Sequence, residues 1–383
     1  MKLFLIAGEA SGDRLGAALM AGLKALLPKV EFLGVGGPLM QAEGMESLFP
    51  MEELSVMGLA EIVPKYPALR RRLIETADAV VAAAPEALIT IDSPDFCLRV
   101  ARRVRAVRPA QKTIHYVAPS VWAWRPGRAA KMAEVIDHVL ALLPFEPPYM
   151  EAAGMTCDFV GHPVVSEPRA TAAEAQAFRA ARGIGDAPLA LALPGSRRGE
   201  IGRLGTVFGD SLAVLAKARP GLRIVLPTFP HLAETVGAMV AGWPGDTLVT
   251  VDPAEKRAAF AAADVALAAS GTVSLELAAN AVPMVIAYDF NWLTWQIMKR
   301  KALIDTVTLV NLVAESRTVP EFLGPECRAP GIAAALERLL AEGPERAAER
   351  AAMALTMERL GLGGEAPGMR AARSVIAALE TRA

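Results

Sequence analysis

Four short stretches carry side chains whose types and spacing suit chemistry. GEASGD sets Glu9 and Asp13 just after an apolar run, and IDSPDF sets Asp92 and Asp95 after another. LPGSR places Arg197 behind Gly195 and Ser196, and SGTVSLE places Glu276 four residues beyond Thr272. A carboxylate at the C-terminal end of a parallel strand lies where α/β proteins build sites, and it can serve as a general base there. An arginine beside backbone amides at a helix start suits a phosphate, because a planar fork of donors and free N–H groups converge on it. Ser270-Gly271-Thr272 reads as a second anion-accepting turn, and Glu276, about one helical turn on, suits a hydroxyl-rich group. A sugar nucleotide carries both phosphate and hydroxyls. Asn311, in VTLVNL, is read as following a short strand and so joins at a further strand end.

Each assignment has a structural alternative. Asp13 is expected as the N-cap of the helix it begins, and Asp95 as the cap of a helix from Phe96, which leaves Asp92 for another role. Asp92 reads equally as a turn carboxylate, and Ser270–Thr272 as the capped start of a helix packed on a sheet. His115 is read as a satisfied core histidine.

The elements that must position these groups follow from the apolar runs. LFLIA (3–7), FLGV, ALITI, TIHYV, HVLAL and CDFV read as strands in a repeated βα order, the first of them buried and parallel and followed by a helical pattern at about 13–27. Gly8 and Gly12 allow a tight turn and close approach. GxGxxG is absent, so no dinucleotide is implied. Gly161-His162-Pro163 marks a junction, with Val164–Ala175 as linker. The pattern then restarts at Leu189 with LALAL, RIVLPTF, TLVTV and DVALAAS, and MVIAY follows the helix behind Ser270-Gly271-Thr272. The predicted fold class is α/β, two doubly wound Rossmann-like domains facing a cleft, with C-terminal helices at about 331–341, 344–360 and 367–381. The expected domains are 1–165, 166–360 and a last segment, 361–383, packing back on the first.

Composition bounds the class. A chain of 383 residues with 53% hydrophobic and 21% charged residues is globular and long enough for two cores. Forty basic against 41 acidic residues, a formal net charge of −1, argue against bulk nucleic-acid binding. The charge is uneven, however. Arg99, Arg102, Arg103, Arg105, Arg108, Lys112, Arg125, Arg128 and Lys131 fall in one acid-free stretch, read as a solvated face or as a patch for an anion or membrane surface. Three widely spaced cysteines show no zinc or redox spacing and fit a reducing compartment. No apolar run reaches the roughly 20 residues that cross a bilayer. The first run is too short for a signal peptide. One stretch nevertheless resembles a surface for lipid. Val56, Met57, Leu59, Ile62, Val63 and Leu69 lead into Arg70, Arg71 and Arg72, an apolar wedge beside a basic run. Trp122 and Trp124 flank Ala123 in an unusual loop, and Trp292, Trp295 and Met298 precede Lys299, Arg300 and Lys301. The alternative for all of them is core packing.

Taken together, IAGEASGD (6–13), MEELSVMG (51–58), IDSPDF (91–96), TIHYVAPSVWAWR (113–125), LLPFE (142–146), FVGH (159–162), LPGSR (193–197), ASGTVSLE (269–276), PMVIAY (283–288) and NL (311–312) resemble the lipid A disaccharide synthase family. That resemblance spans nearly the whole chain. It implies an inverting glycosyltransferase of the two-domain GT-B type. Its donor is UDP-2,3-diacylglucosamine and its acceptor the 6-hydroxyl of 2,3-diacylglucosamine 1-phosphate. The products are UDP and a β-1,6-linked disaccharide 1-phosphate. No cofactor or metal is implied, in keeping with the lack of a D-x-D motif. The resemblance makes Asp92 the general base, with Glu9 the competing candidate or an acceptor ligand. It makes Arg197, with Ser196 and Gly195, the donor diphosphate site. Ser270, Gly271, Thr272, Glu276 and Asn311 complete the donor set, Glu276 on the ribose. It also strengthens the membrane reading of 56–73 and of Trp122 and Trp124, because a diacyl substrate must leave a bilayer. The expected location is cytoplasmic, peripheral to the inner face of the inner membrane, and the oligomeric state, a homodimer included, stays open. Two departures stand out: Arg198 beside Arg197, with Glu200 in the place of a family acid, and PVV after FVGH. The alternatives are a UDP-GlcNAc 2-epimerase-like or other GT-B enzyme on a soluble substrate, and a non-catalytic sugar-nucleotide or lipid-binding protein.

Overall fold

The computed structural model describes residues 1–54, 59–245 and 247–380. The chain forms two units: Met1–Ser166 with Gly363–Ala383, and Glu167–Leu362. In the first, β1 (Lys2–Ala7), β2 (Glu31–Val35), β3 (Glu46–Ser47), β4 (Ala87–Ile91), β5 (Lys112–Tyr116), β6 (His138–Ala141) and β7 (Thr156–Phe159) make one sheet in the order β3-β2-β1-β4-β5-β6-β7. In the second, β8 (Leu189–Leu193), β9 (Arg223–Pro227), β10 (Leu248–Thr250), β11 (Val265–Ala268), β12 (Met284–Tyr288) and β13 (Glu321–Leu323) are ordered β10-β9-β8-β11-β12-β13. Each pairing is parallel. Helices cover both faces, which is why the central strands are apolar end to end rather than alternating: β4, β8 and β11 are buried at every residue.

Both sheets reverse their strand order once, between β1 and β4 and between β8 and β11. At such a point the two flanking connections leave toward opposite faces and open a crevice at the strands' C-terminal ends. Ala7 pairs with Ile91 and Leu193 with Ala268, so the turns after these four strands lie side by side in pairs.

Helix Pro367–Glu380 belongs to the first unit. Ala371, Ala372 and Val375 are fully buried in one cluster with Leu15, Leu19 and Leu23 of helix Ala10–Leu26. Polar bonds fix the same helix to the sheet edge: Ser374 Oγ donates to Asp158 at 2.6 Å and lies 2.7 Å from His138 Nε2, and Arg370 donates to the Phe159 carbonyl at 2.7 Å. This Ser–His–Asp cluster is a pin, since its aspartate bonds the serine and not the imidazole and so does not orient a base. The three C-terminal helices occupy Ala329–Leu340, Pro344–Arg359 and Pro367–Glu380.

Several local expectations are corrected. Asp13 is no N-cap: the helix starts at Ala10, and Asp13, only 3% exposed, accepts from the N–H groups of Gly37, Leu39 and Met40. It thereby caps the neighbouring helix Pro38–Ala42 across space. Asp95 is no cap either, since Ser93 holds that position and Asp95 lies in the first turn of helix Pro94–Val107. VTLV is not a strand, because Leu309–Ala314 is helical. The linker is shorter than Val164–Ala175: a 3-10 turn covers Pro163–Ser166, and a capping box between Thr171 and Glu174 starts a helix at Ala172.

Candidate functional site

The first unit presents acids at its reversal point. Asp92 follows β4 directly and Glu9 stands two residues past β1, at the N-cap of helix Ala10–Leu26. Asp92 and Ser93 both hold left-handed backbone, at φ 53° and 43°. Two such residues in succession cost about 1–3 kcal/mol each and survive only where the surroundings over-determine them. Here Asp92 N–H donates to the Tyr116 carbonyl at 2.9 Å, Asp92 Oδ1 accepts from Ser93 N–H at 2.9 Å, and Oδ2 lies 3.4 Å from Ser11 Oγ. The turn thus bends the carboxylate back over the strand ends with one oxygen held and the other only loosely engaged. Gly8 matters to this geometry, because a Cβ there would stand 2.7 Å from Ser93 Oγ. Asp92 and Glu9 are both partly exposed.

The second unit presents a cavity of about 490 Å³ at its own reversal point. One wall is Gly195-Ser196-Arg197 after β8, the other Ser270-Gly271-Thr272 and Glu276 after β11. Arg197 is the N-cap of the 21-residue helix Arg198–Ala218, and its side chain is 64% exposed. Glu200 shapes this turn. Its carboxylate accepts from Ser196 N–H at 3.3 Å and from the Tyr288 hydroxyl at 3.2 Å, and lies 3.7 Å from Arg197. Burial first, and then the Glu200 charge, push the Tyr288 phenol up from its ordinary range, which keeps it a donor. Gly195 sits at φ 111°, and a Cβ there would meet the Glu200 carboxylate at 2.5 Å, so only glycine fits. By contrast, helix Val273–Ala279 has seven residues and Thr272 makes no side-chain cap bond. Fewer aligned peptides stand behind its start than behind the helix at Arg198.

Glu276 forms a 2.6 Å ion pair with Lys256, which lines the same cavity with Phe229 and Phe260. These three residues escaped sequence reasoning. Phe229 follows β9 at its C-terminal end and is 51% exposed, so the strand-end rule pointed toward it. Lys256 carried no such signal.

Other expected site residues lie elsewhere. Asn311 is 1% exposed, and its amide is spent on Thr306, on Glu321 and on both backbone groups of Val319. It pins a loop of its own unit and does not line the cavity. Trp122 is no rim residue. It is buried, donates to Glu146 at 3.2 Å and packs edge-on against Phe145. Trp124 is partly exposed and stacks under the Arg125 guanidinium at 3.7 Å. Arg72 is held by Glu53 and Glu75, with 17% of its side chain exposed, whereas Arg70 and Arg71 are exposed and Leu69 half-buried. Val56 and Met57 lie outside the described residues, as do the side chains of Leu59, Ile62 and Val63 on helix Leu59–Ala83. Trp292 and Met298 have no described side chains, while Trp295 stacks on Phe290. The basic stretch is partly neutralised, by Arg102–Glu134, Arg103–Asp78 and Arg105–Asp137 pairs. His115 is a core residue bonded to Thr90, its pKa lowered by burial to about 4. Among the described residues no cluster of three or more His, Cys, Asp or Glu is placed to hold a metal, and no helix is long and apolar enough to cross a membrane.

Comparison with known proteins supplies the family. A family model described as lipid-A-disaccharide synthetase matches residues 3–366. The lipid-A-disaccharide synthase of Ruegeria pomeroyi is 62% identical over 98% of this chain and 95% of its own length. That of Rhodospirillum centenum is 48% identical over 99% of this chain and 95% of its own length. Among solved structures, the UDP-GlcNAc 2-epimerase of Neisseria meningitidis, determined with UDP-GlcNAc bound, superposes with a TM-score of 0.64 at 12% identity, all of both chains covered. The calicheamicin glycosyltransferase CalG4 gives 0.58 at 17% identity, covering 99% of this chain and 98% of that one. At such identities these neighbours share the fold alone. The family match and the close relatives decide between the chemistries that this fold hosts: the chain belongs to the lipid-A-disaccharide synthase family of glycosyltransferases.

Proposed function

We propose that the chain transfers 2,3-diacylglucosamine from its UDP derivative to the 6-hydroxyl of 2,3-diacylglucosamine 1-phosphate, with inversion, giving the β-1,6 disaccharide 1-phosphate and UDP. Asp92 is the general base. It takes the 6-hydroxyl proton as that oxygen bonds to the anomeric carbon of the donor. The bond from that carbon to the diphosphate oxygen breaks, and its electron pair leaves on UDP. The charge that develops on the diphosphate meets Arg197 and the N–H groups at the start of helix Arg198–Ala218. These donors are fixed before the reaction, so they stabilise that charge without reorganising. Glu276 accepts from the ribose hydroxyls, and Glu9 lies beside the acceptor. The observation that carries the reading is the pairing of an exposed arginine at a long helix start with a carboxylate across one cavity, in a chain of this family. That arrangement matches a nucleoside diphosphate: anion at one end, diol at the other.

The substrates are lipids, so the enzyme works peripherally at the inner face of the inner membrane. Arg70 and Arg71, exposed on helix Leu59–Ala83, supply charge toward anionic headgroups. The test is a transfer assay with radiolabelled UDP-diacylglucosamine and the monosaccharide 1-phosphate, run beside UDP-GlcNAc. Disaccharide phosphate is expected from the acylated donor. Epimerisation of UDP-GlcNAc, with no disaccharide from the acylated pair, would overturn the reading.

A further inference from the structure

Lys256 belongs to helix Pro253–Ala262, whose start is fixed by Asp252 accepting from the N–H groups of Ala254 and Glu255. Phe260 lies one turn further along, 2% exposed, with its ring centroid 5.2 Å from Lys256 Nζ. The lysine stem therefore runs over a buried ring and delivers its ammonium to Glu276 Oε2 at 2.6 Å, on the separate helix Val273–Ala279. Both side chains line the cavity, and both keep part of their surface open, 42% for Lys256 and 31% for Glu276. The backbone carbonyl of Glu276 is engaged by Asn280, and its side chain meets Lys256 through Oε2. A carboxylate in a cavity that must also take a diphosphate has two problems. It repels the ligand, and an unheld carboxylate keeps no fixed orientation toward the ribose.

We propose that Lys256 is a positioning residue of the donor site. Its ammonium neutralises Glu276 and holds the carboxylate by one oxygen, which leaves the other aimed at the ribose diol. It does so without contacting the diphosphate. The inference rests on the reading of this cavity as the UDP site. It adds a division within that site: Arg197 reads the phosphates, and the Lys256–Glu276 pair reads the sugar of the nucleoside.

Binding of UDP and of uridine, each measured by calorimetry or by competition against UDP, separates the two roles. Wild-type protein that binds no UDP would sink the reading of the cavity itself, before any variant is made. With UDP bound by the wild type, Lys256→Met is expected to weaken uridine about tenfold and UDP by at least as much, because one charge-assisted bond to the ribose loses its geometry and the unmasked carboxylate also repels the diphosphate. Arg197→Ala should weaken UDP and leave uridine nearly unchanged. Lys256→Arg should restore most of the affinity, since a guanidinium spans the same gap. Glu276→Gln and the Lys256→Met/Glu276→Gln double variant should bind alike, because the lysine acts only through that carboxylate. In turnover, the KM for the UDP-sugar should rise about tenfold with kcat little changed. A Lys256→Met loss confined to UDP would make the residue a phosphate ligand and overturn the proposal. Unchanged affinity for both ligands, or fully additive losses in the double variant, would overturn it as well.

Discussion

The two reversal points of this molecule share a topology and differ in chemistry. Both sheets run 3-2-1-4-5-6 in the order of their own strands, the first with one strand more, and both gather their candidate groups after the first and fourth strands. After β1 stands Glu9 in extended backbone, and after β4 stands Asp92 on a strained, positive-φ turn. After β8 and β11 stand an exposed arginine and an acid paired with a lysine. The fold thus decides where a site forms, and a handful of turn residues decide what it does. The supporting carboxylates differ too. In the second unit Glu200 ties the turn by accepting from Ser196 and Tyr288. In the first, Asp92 itself ties the turn, accepting from Ser93 N–H while its own N–H donates to the Tyr116 carbonyl.

The contrast can be broken at either point. Asp92→Asn should lower kcat by about 10²–10⁴, the usual worth of a general base, while UDP affinity stays within twofold. Transfer at the wild-type rate would move the base to Glu9. Arg197→Ala should weaken UDP by about 10- to 100-fold, as expected for the loss of a charge-assisted fork, and calorimetry checks it. An unchanged UDP affinity would remove the phosphate role. Asn311→Ala should cost about 2 kcal/mol of stability, the penalty for stranding buried backbone groups, with UDP affinity of the folded protein unchanged. A specific loss of UDP binding would return Asn311 to the donor site.

The smallest effect concerns Glu146, which the first unit buries on the N–H groups of Leu142, Leu143 and Trp122. Burial raises its pKa to about 7 against the lowering effect of those bonds. The folded state therefore binds this proton more tightly than the unfolded chain does. Its contribution to stability is full below the ordinary carboxyl range and is lost as pH rises through about 7. Melting at pH 5, 6, 7 and 8 should show that decline in the wild type, and Glu146→Gln should flatten it. A wild-type curve rising across the same window would show that the carboxylate form is the favoured one.

How far the sequence carried depends on the range of the interaction. Strands covered on both faces leave contiguous apolar runs, so LFLIA, ALITI, LALAL and MVIAY could be read directly, and so could the turns behind them. Arg197 and Glu276 were legible because a turn and one helical repeat place them. Partners far apart in sequence were not. Asp13 looks like an N-cap, but the N–H groups it serves lie 24 to 27 residues on. Lys256 and Glu276 are 20 residues apart on different helices, and no periodicity links them. The β-branched run before Asn311 suggested a strand, yet packing and bonds to Glu321 override that propensity. Trp122 looked like a lipid contact because its acceptor, Glu146, is 24 residues away.

One arrangement has consequences for how the chain is made. Helix Pro367–Glu380 supplies Ala371, Ala372, Val375 and Ala378 to the core that surrounds Leu15, Leu19 and Leu23. During synthesis, the first unit therefore waits for residues translated after the second unit. At about 5–20 residues per second, the apolar face of helix Ala10–Leu26 stays uncovered for tens of seconds while the second unit emerges and can fold alone. A chain stopped before Pro367 should leave that face open and aggregate, even with both reversal points fully encoded.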